Sequence, residues 1–271
     1  MTLPQLISTF LNWQDRSLAP RPRRTIIWEG LYRHTKGPID WDRIFEILEL
    51  SNKGDSLERY LSRRTKTHGY VPRPRERRGI EWGDKDLALN AYSVHHLHLI
   101  PANLSGKRSG DSNALLFVAA SRDAMTLVMV GNHSSFDDGT LFEAVTEFRA
   151  ASEFWIRGIL PEREPPNARD SAKLIRHGMM VTGTYQGKVV PTVLLSSMGT
   201  SVRHTMHADR VVTTLEGWEP ILDDPARSEA AFKQKGWIPK EAVWRWHFHY
   251  GDLCLTESKT GRTGLILPWD R

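Results

Sequence analysis

Ala114-Leu-Leu-Phe-Val-Ala-Ala-Ser-Arg-Asp-Ala-Met-Thr-Leu-Val-Met-Val130 decides the fold class of this chain. Two short apolar runs, rich in Leu, Val, Phe and Met, flank the polar turn Ser121-Arg122-Asp123. Runs of this length, bounded by a turn signal, are buried strands, and so short a connection makes them antiparallel neighbours. Before them, Ser93-Val-His-His-Leu-His-Leu-Ile100 alternates as a strand does. After them, Phe136 to Ala151 places Leu141, Phe142, Val145 and Phe148 at helical spacing. The expectation is an α+β fold, an antiparallel sheet packed with helices.

Further outward the pattern changes. Residues 4–15 carry Leu6, Ile7, Phe10 and Leu11 on one helical face. A second helix follows from Asp40, an N-cap residue, with Ile44, Ile47 and Leu48 inward, and a third is read from Asp55. Residues 1–65 therefore read as a helical N-terminal region. Arg63, Arg64, Lys66, Arg73, Arg75, Arg77 and Arg78 then face a single acid, Glu76, while Pro72 and Pro74 break any helix. Residues 66–84 are read as a basic linker or loop, and 85–271 as the α+β core domain. Within that core the sequence predicts a short helix from Asn167 to Arg176 and a strand pair around Gln186-Gly187. It also predicts a helix from Ser201 and a closing hairpin over Trp244 to Leu267.

The chain has 271 residues, 39% of them apolar, and 37 Lys and Arg against 32 Asp and Glu, a formal charge of +5. That composition packs a core, and the mild basic excess is compatible with a polyanionic partner. Cys254 is the single cysteine, so neither a disulfide framework nor a cysteine zinc site is expected, and a reducing compartment suits the chain. The first ten residues lack a basic stretch followed by a long apolar run, and Leu115 to Ala120 is far too short to span a bilayer. A cytoplasmic protein without membrane contact is expected.

Five groups of residues are candidates for chemistry. In His95-His96-Leu97-His98, strand alternation puts His96 and His98 on one face, and His95, Leu97 and Leu99 on the other. Ser105-Gly-Lys107-Arg108-Ser-Gly offers backbone amides beside cations, a phosphate contact without the spacing of a Walker loop. His133 stands where a predicted strand ends and a helix is about to begin. On the helix from Ser201, Arg203, His207 and Arg210 fall in one sector, with Ala208, Val211, Val212 and Leu215 mainly opposite. The amides at Ser201 then form an anion site at the helix N-terminus. Trp246-His247-Phe248-His249-Tyr250 either stacks on bases or pads the last hairpin.

RNA cleavage without a metal needs a base, an acid and a cation for the charge that develops on phosphorus. His96 or His98, together with His133 and Arg108, supplies that set from adjacent predicted strands. His96-Leu97-His98-Leu99, Arg108, Leu115-Leu116-Phe117 and His133 also follow one another in an order that resembles the core of small RelE-like (barnase–EndoU type) bacterial toxin ribonucleases. The resemblance covers about residues 90–150, under a quarter of the chain. It implies metal-independent RNA cleavage on an antiparallel sheet and a neutralising partner. Arg63 to His68 also matches the Arg-x4-His pattern of HEPN-type nucleases, without a helical pattern around it.

The expectation is thus a metal-independent ribonuclease of a bacterial toxin–antitoxin or phage-defence system, acting on RNA and held by an antitoxin-like protein. His96, His98 and His133 are the acid/base candidates and Arg108 the stabilising cation. Lys107, Ser201, Arg203, His207 and Arg210 would hold the RNA backbone. No cofactor is expected. Two alternatives stay open: a non-catalytic nucleic-acid-binding or interaction module, and a metal-dependent hydrolase with the three histidines as ligands.

Overall fold

Residues 114–130 fold as the pattern demands. In the computed structural model, β3 (Leu115–Ala120) and β4 (Ala124–Gly131) pair antiparallel across the turn at 121–123. The structure describes residues 1–62, 65, 86–103, 113–161, 166–195, 201–233 and 242–269. Mixed helices and strands make it an α+β protein. Two compact units emerge from the contacts, Met1–Asp15 with Arg203–Asp270, and Arg16–Val202.

The Arg16–Val202 unit is built on a four-stranded sheet in the order β1-β4-β3-β2. β2 (His95–His98) lies antiparallel to β3 at one edge. β1 (Arg24–Ile27) lies parallel to β4 at the other. β1 is a strand within residues 1–65, the region read as helical from its sequence. A four-residue strand is too short to show a period, and its pairing partner is a hundred residues away in sequence.

Both faces of the sheet are covered, which explains why Leu115, Leu116, Phe117 and Val118 are all fully buried. Leu115 and Phe117 face α5 (Thr140–Ala151), packing with Leu141, Ala144 and Val145. Leu116, Val118 and Leu127 face α3 (Trp41–Lys53), packing with Ile44, Ile47 and Leu48. Each such side chain taken out of water contributes about 1.5–3 kcal/mol. Asp40 caps α3 as its sequence position suggests, accepting a hydrogen bond from the Arg43 amide at 3.1 Å.

The helix expected from Phe136 begins later, at Thr140. Gly139 has φ +88°, and a Cβ there would lie 2.5 Å from the Ala168 carbonyl carbon. The chain therefore turns before α5 starts, and His133–Phe136 forms a separate 3-10 turn. Beyond α5 come α6 (Ala168–Arg176), capped by Asn167, and the hairpin of β5 (Gly183–Tyr185) and β6 (Lys188–Val190). The unit also contains two short helices, α2 (Leu31–His34) and α4 (Leu87–Tyr92).

The other unit joins the first helix of the chain to its last third. α1 (Leu3–Arg16) contributes Ile7 and Leu11, and α7 (Val202–Leu222) contributes Ala208 and Val211. Both pack on the antiparallel sheet β7 (Trp244–His249), β8 (Asp252–Glu257) and β9 (Thr263–Leu267) through Leu253 and Trp269. α8 (Pro225–Lys233) adds Phe232 against Leu255. This grouping differs from the division at residues 65 and 84 expected from composition, because α1 buries its apolar face against residues some two hundred positions later. Among the described residues, no helix is long and apolar enough to cross a membrane.

Candidate active site

Strand alternation places the first two candidate side chains. Leu97 is fully buried on the α3 side of the sheet, so His96 and His98 project from the opposite face. Their rings meet edge-on, with centroids 6.0 Å apart. His98 is buried at 7% exposure, and the His96 side chain is 14% exposed. His95, on the α3 side, is buried as well.

His133 reaches the same place by a different route. His98, Leu115 and Gly131 form one register row across β2, β3 and β4, so the end of β4 lies level with His98. The chain then turns in a capping box. The Asn132 side chain accepts from the Ser134 amide at 2.8 Å, and the Ser135 hydroxyl accepts from the Asn132 amide at 3.2 Å. Gly131 makes room for this turn, since a Cβ on it would sit 2.5 Å from Ser135 Oγ. The turn brings the exposed His133 ring to 5.6 Å from that of His98. Phe136, at the end of the turn, stands edge-on to His96 at 5.8 Å and packs on Phe117 at 5.4 Å. The three imidazoles therefore form a continuous row, with aromatic rings beneath its inner end.

A fourth member escaped the sequence reading. Asp86 caps α4, accepting from the Leu89 amide at 3.2 Å, and the same oxygen lies 3.6 Å from His96 Nδ1. Both side chains are less than one-fifth exposed. Among the described residues, His96 Nδ1 is buried without a hydrogen-bond partner. Arg16 is buried, its pKa is lowered by desolvation, and the Asp86 charge opposes that shift. The available signal was Asp86 as N-cap before Leu87-Ala-Leu, a short apolar run.

The remaining candidates fall elsewhere. Lys107 and Arg108 lie outside the described residues, as do Arg63, His68 and the arginines at 73–78. On α7, His207 is not on a solvated basic face. It is 4% exposed, its Nε2 meets the Gly251 carbonyl at 3.1 Å, and its ring packs edge-on against Trp269. Ala208 and Val211 are buried beside it, so the inward stripe runs through His204, His207 and Val211, and the sector assigned from sequence was rotated. Ser201 is buried and bridges to Leu195, while the Val202 amide bonds the Leu194 carbonyl, so these groups serve the chain's own connection. Arg203 is half-buried and Arg210 exposed, both in the unit that lacks the histidine row. On β7, Trp246 and Phe248 pad the core, and Trp246 Nε1 donates to Glu219 at 2.8 Å.

One further polar cluster serves to join two helices. Glu147 on α5 receives hydrogen bonds from Arg33 and from His34 Nε2, the latter at 2.9 Å, which ties α2 to α5. Burial raises the Glu147 pKa, but the bonds from His34 and Arg33 outweigh it and hold the carboxyl below its ordinary value. A groove of about 420 Å³ lined by Leu160, Leu174, Met179, Val189, Thr182 and Thr184, among others, holds none of the candidate histidines. Among the described residues, no group of three or more His, Cys, Asp or Glu side chains is arranged to hold a metal ion.

No protein-family model, curated protein or solved structure matches this chain.

Proposed function

We propose that this chain is a metal-independent ribonuclease. The observation that carries the reading is the row of three imidazoles, His96, His98 and His133, with neighbouring centroids 6.0 and 5.6 Å apart. A phosphodiester needs two proton-transfer groups flanking one phosphorus. Imidazole is the side chain that both gives and takes a proton near neutral pH. In the reaction, the 2′-oxygen bonds to phosphorus as its proton passes to one imidazole. The bond from phosphorus to the 5′-oxygen breaks as another imidazole protonates the leaving group. The products are a 2′,3′-cyclic phosphate and a free 5′-hydroxyl. His133, exposed at the end of the row, meets the substrate first, and His96 or His98 lies behind it.

Arg108, between β2 and β3 in sequence, is the proposed cation for the charge on phosphorus. The resemblance of residues 90–150 to RelE-like toxin ribonucleases supports the same chemistry. It extends the proposal to a role in a bacterial toxin–antitoxin or phage-defence system, with RNA as substrate and a neutralising protein as partner in the cytoplasm.

The test is cleavage of labelled RNA in EDTA by the wild type and by His98→Ala and His133→Ala. Loss of cyclic-phosphate product in both variants, with unchanged circular dichroism, is expected. Full cleavage by either variant removes that histidine from the mechanism. Salt-sensitive RNA binding without turnover by the wild type replaces the enzyme with a binding module.

A further inference from the structure

We propose that Asp86 is a positioning residue of the histidine row. It fixes His96 as the tautomer protonated on Nδ1, which makes His96 the member that offers a basic nitrogen, Nε2, to the 2′-hydroxyl. The proposal rests on the ribonuclease reading for its catalytic part, and on geometry alone for the tautomer.

The geometry is one-sided. His96 Nδ1 is buried, has no hydrogen-bond partner among the described residues, and faces Asp86 Oδ1 at 3.6 Å. A lone pair on Nδ1 would point at carboxylate oxygen in a site largely shielded from water, whereas an N–H there is attracted to it. The 3.6 Å separation is longer than a hydrogen bond, so the effect is electrostatic and closes to a bond only with a small shift. The carboxylate is itself held in place. Its Oδ1 accepts from the Leu89 amide at the start of α4, and its charge acts on the buried Arg16. From the turn after β4, Phe136 stands edge-on to the His96 ring at 5.8 Å. A base whose far nitrogen is oriented by an anchored acid is an arrangement that serves general-base catalysis by histidine.

The double duty of Asp86 supplies a clean variant. Asn caps a helix as well as Asp does, so Asp86→Asn keeps the bond to Leu89 while removing the charge. Asp86→Ala removes both. Two readouts are taken on the full-length protein: steady-state cleavage of an RNA oligonucleotide, and the ring nitrogen shifts of His96 from 15N-labelled protein without RNA. In Asp86→Asn we expect an unchanged melting temperature and kcat lowered by about tenfold or more with KM within about twofold; loss of the Nδ1–H pattern at His96 is expected in Asp86→Ala, which also removes the facing oxygen. Asp86→Ala is expected to show the same kinetic loss with a lower melting temperature. A wild-type His96 protonated on Nε2 overturns the tautomer assignment, and an unchanged Nδ1–H pattern in Asp86→Ala overturns Asp86 as its cause, whatever the rate does. A changed pattern with unaltered kcat overturns His96 as the base. Should the wild type cleave no RNA, the ribonuclease reading fails and the ring pattern alone still decides whether Asp86 orients His96.

Discussion

On β2 and the turn after β4, His96, His98 and His133 stand ring to ring; on α7, His204 and His207 stand against Trp269. The second pair is saturated by the fold. His204 Nε2 lies 3.0 Å from Asp15 Oδ2, its Nδ1 lies 3.4 Å from Asn12 Nδ2, and its ring is parallel to that of Trp269 at 5.6 Å. His207 is committed to the Gly251 carbonyl. In the row, by contrast, a buried His96 nitrogen faces a carboxylate beyond hydrogen-bond reach, and His133 is exposed. Both groups set an imidazole beside an aspartate. What separates them is that His96 Nδ1 faces its aspartate without a hydrogen bond, whereas His204 bonds to its own, and that solvent reaches the outer end of the row.

The comparison breaks most decisively at His133. His133→Ala is expected to lower RNA cleavage by about a hundredfold or more while leaving the melting temperature close to wild type. A large stability loss with normal cleavage would place His133 with the structural pair. The converse holds on α7. His204→Ala removes the bond from His204 to Asp15 and the ring stacked on Trp269, so chemical denaturation should show a loss of about 2–3 kcal/mol. The cleavage rate of the folded fraction should not change.

A smaller effect sharpens the role of the turn. Gly131→Ala pushes a methyl group toward Ser135 Oγ, displaces the capping box that carries His133, and should cost about 1–3 kcal/mol with a partial loss of cleavage. Wild-type stability with full activity would show that the turn yields freely. The least effect concerns acid stability. Glu257 in β8 is drawn down to about 2, first by the Thr260 hydroxyl, with burial opposing and the amides of Lys259, Val243 and Thr260 adding to it. Its folded value lies below its unfolded one, so its contribution is complete above the ordinary glutamate range and disappears as pH falls toward about 2. Glu257→Gln should flatten the fall in melting temperature over that window, and an unchanged acid limb would count against the assignment.

Much of the sheet was legible because its signals are local. The apolar runs at 115–118 and 125–130 and the alternation at 95–98 are properties of neighbouring residues, and they placed β2, β3 and β4 as well as the shared face of His96 and His98. β1 was not legible, since Arg24-Thr-Ile-Ile carries too few residues for a period. The α7 face was misjudged because three basic residues in one sector looked solvated. In the folded chain the buried stripe includes histidines whose polar atoms find partners on α1 and beside β8.

The sequence by itself determined the strand pair, the direction of the 96 and 98 side chains, and the caps at Asp40 and Asn167, because each depends on contacts within a few residues. Only the tertiary structure decided that His133 closes the row, that Asp86 stands behind His96, and that α1 packs with the last third of the chain. The first depends on strand register and on one turn built around Gly131, and the other two on how α4 and α1 pack. Register is set by how whole faces of the sheet are buried, a condition that no short window of residues contains.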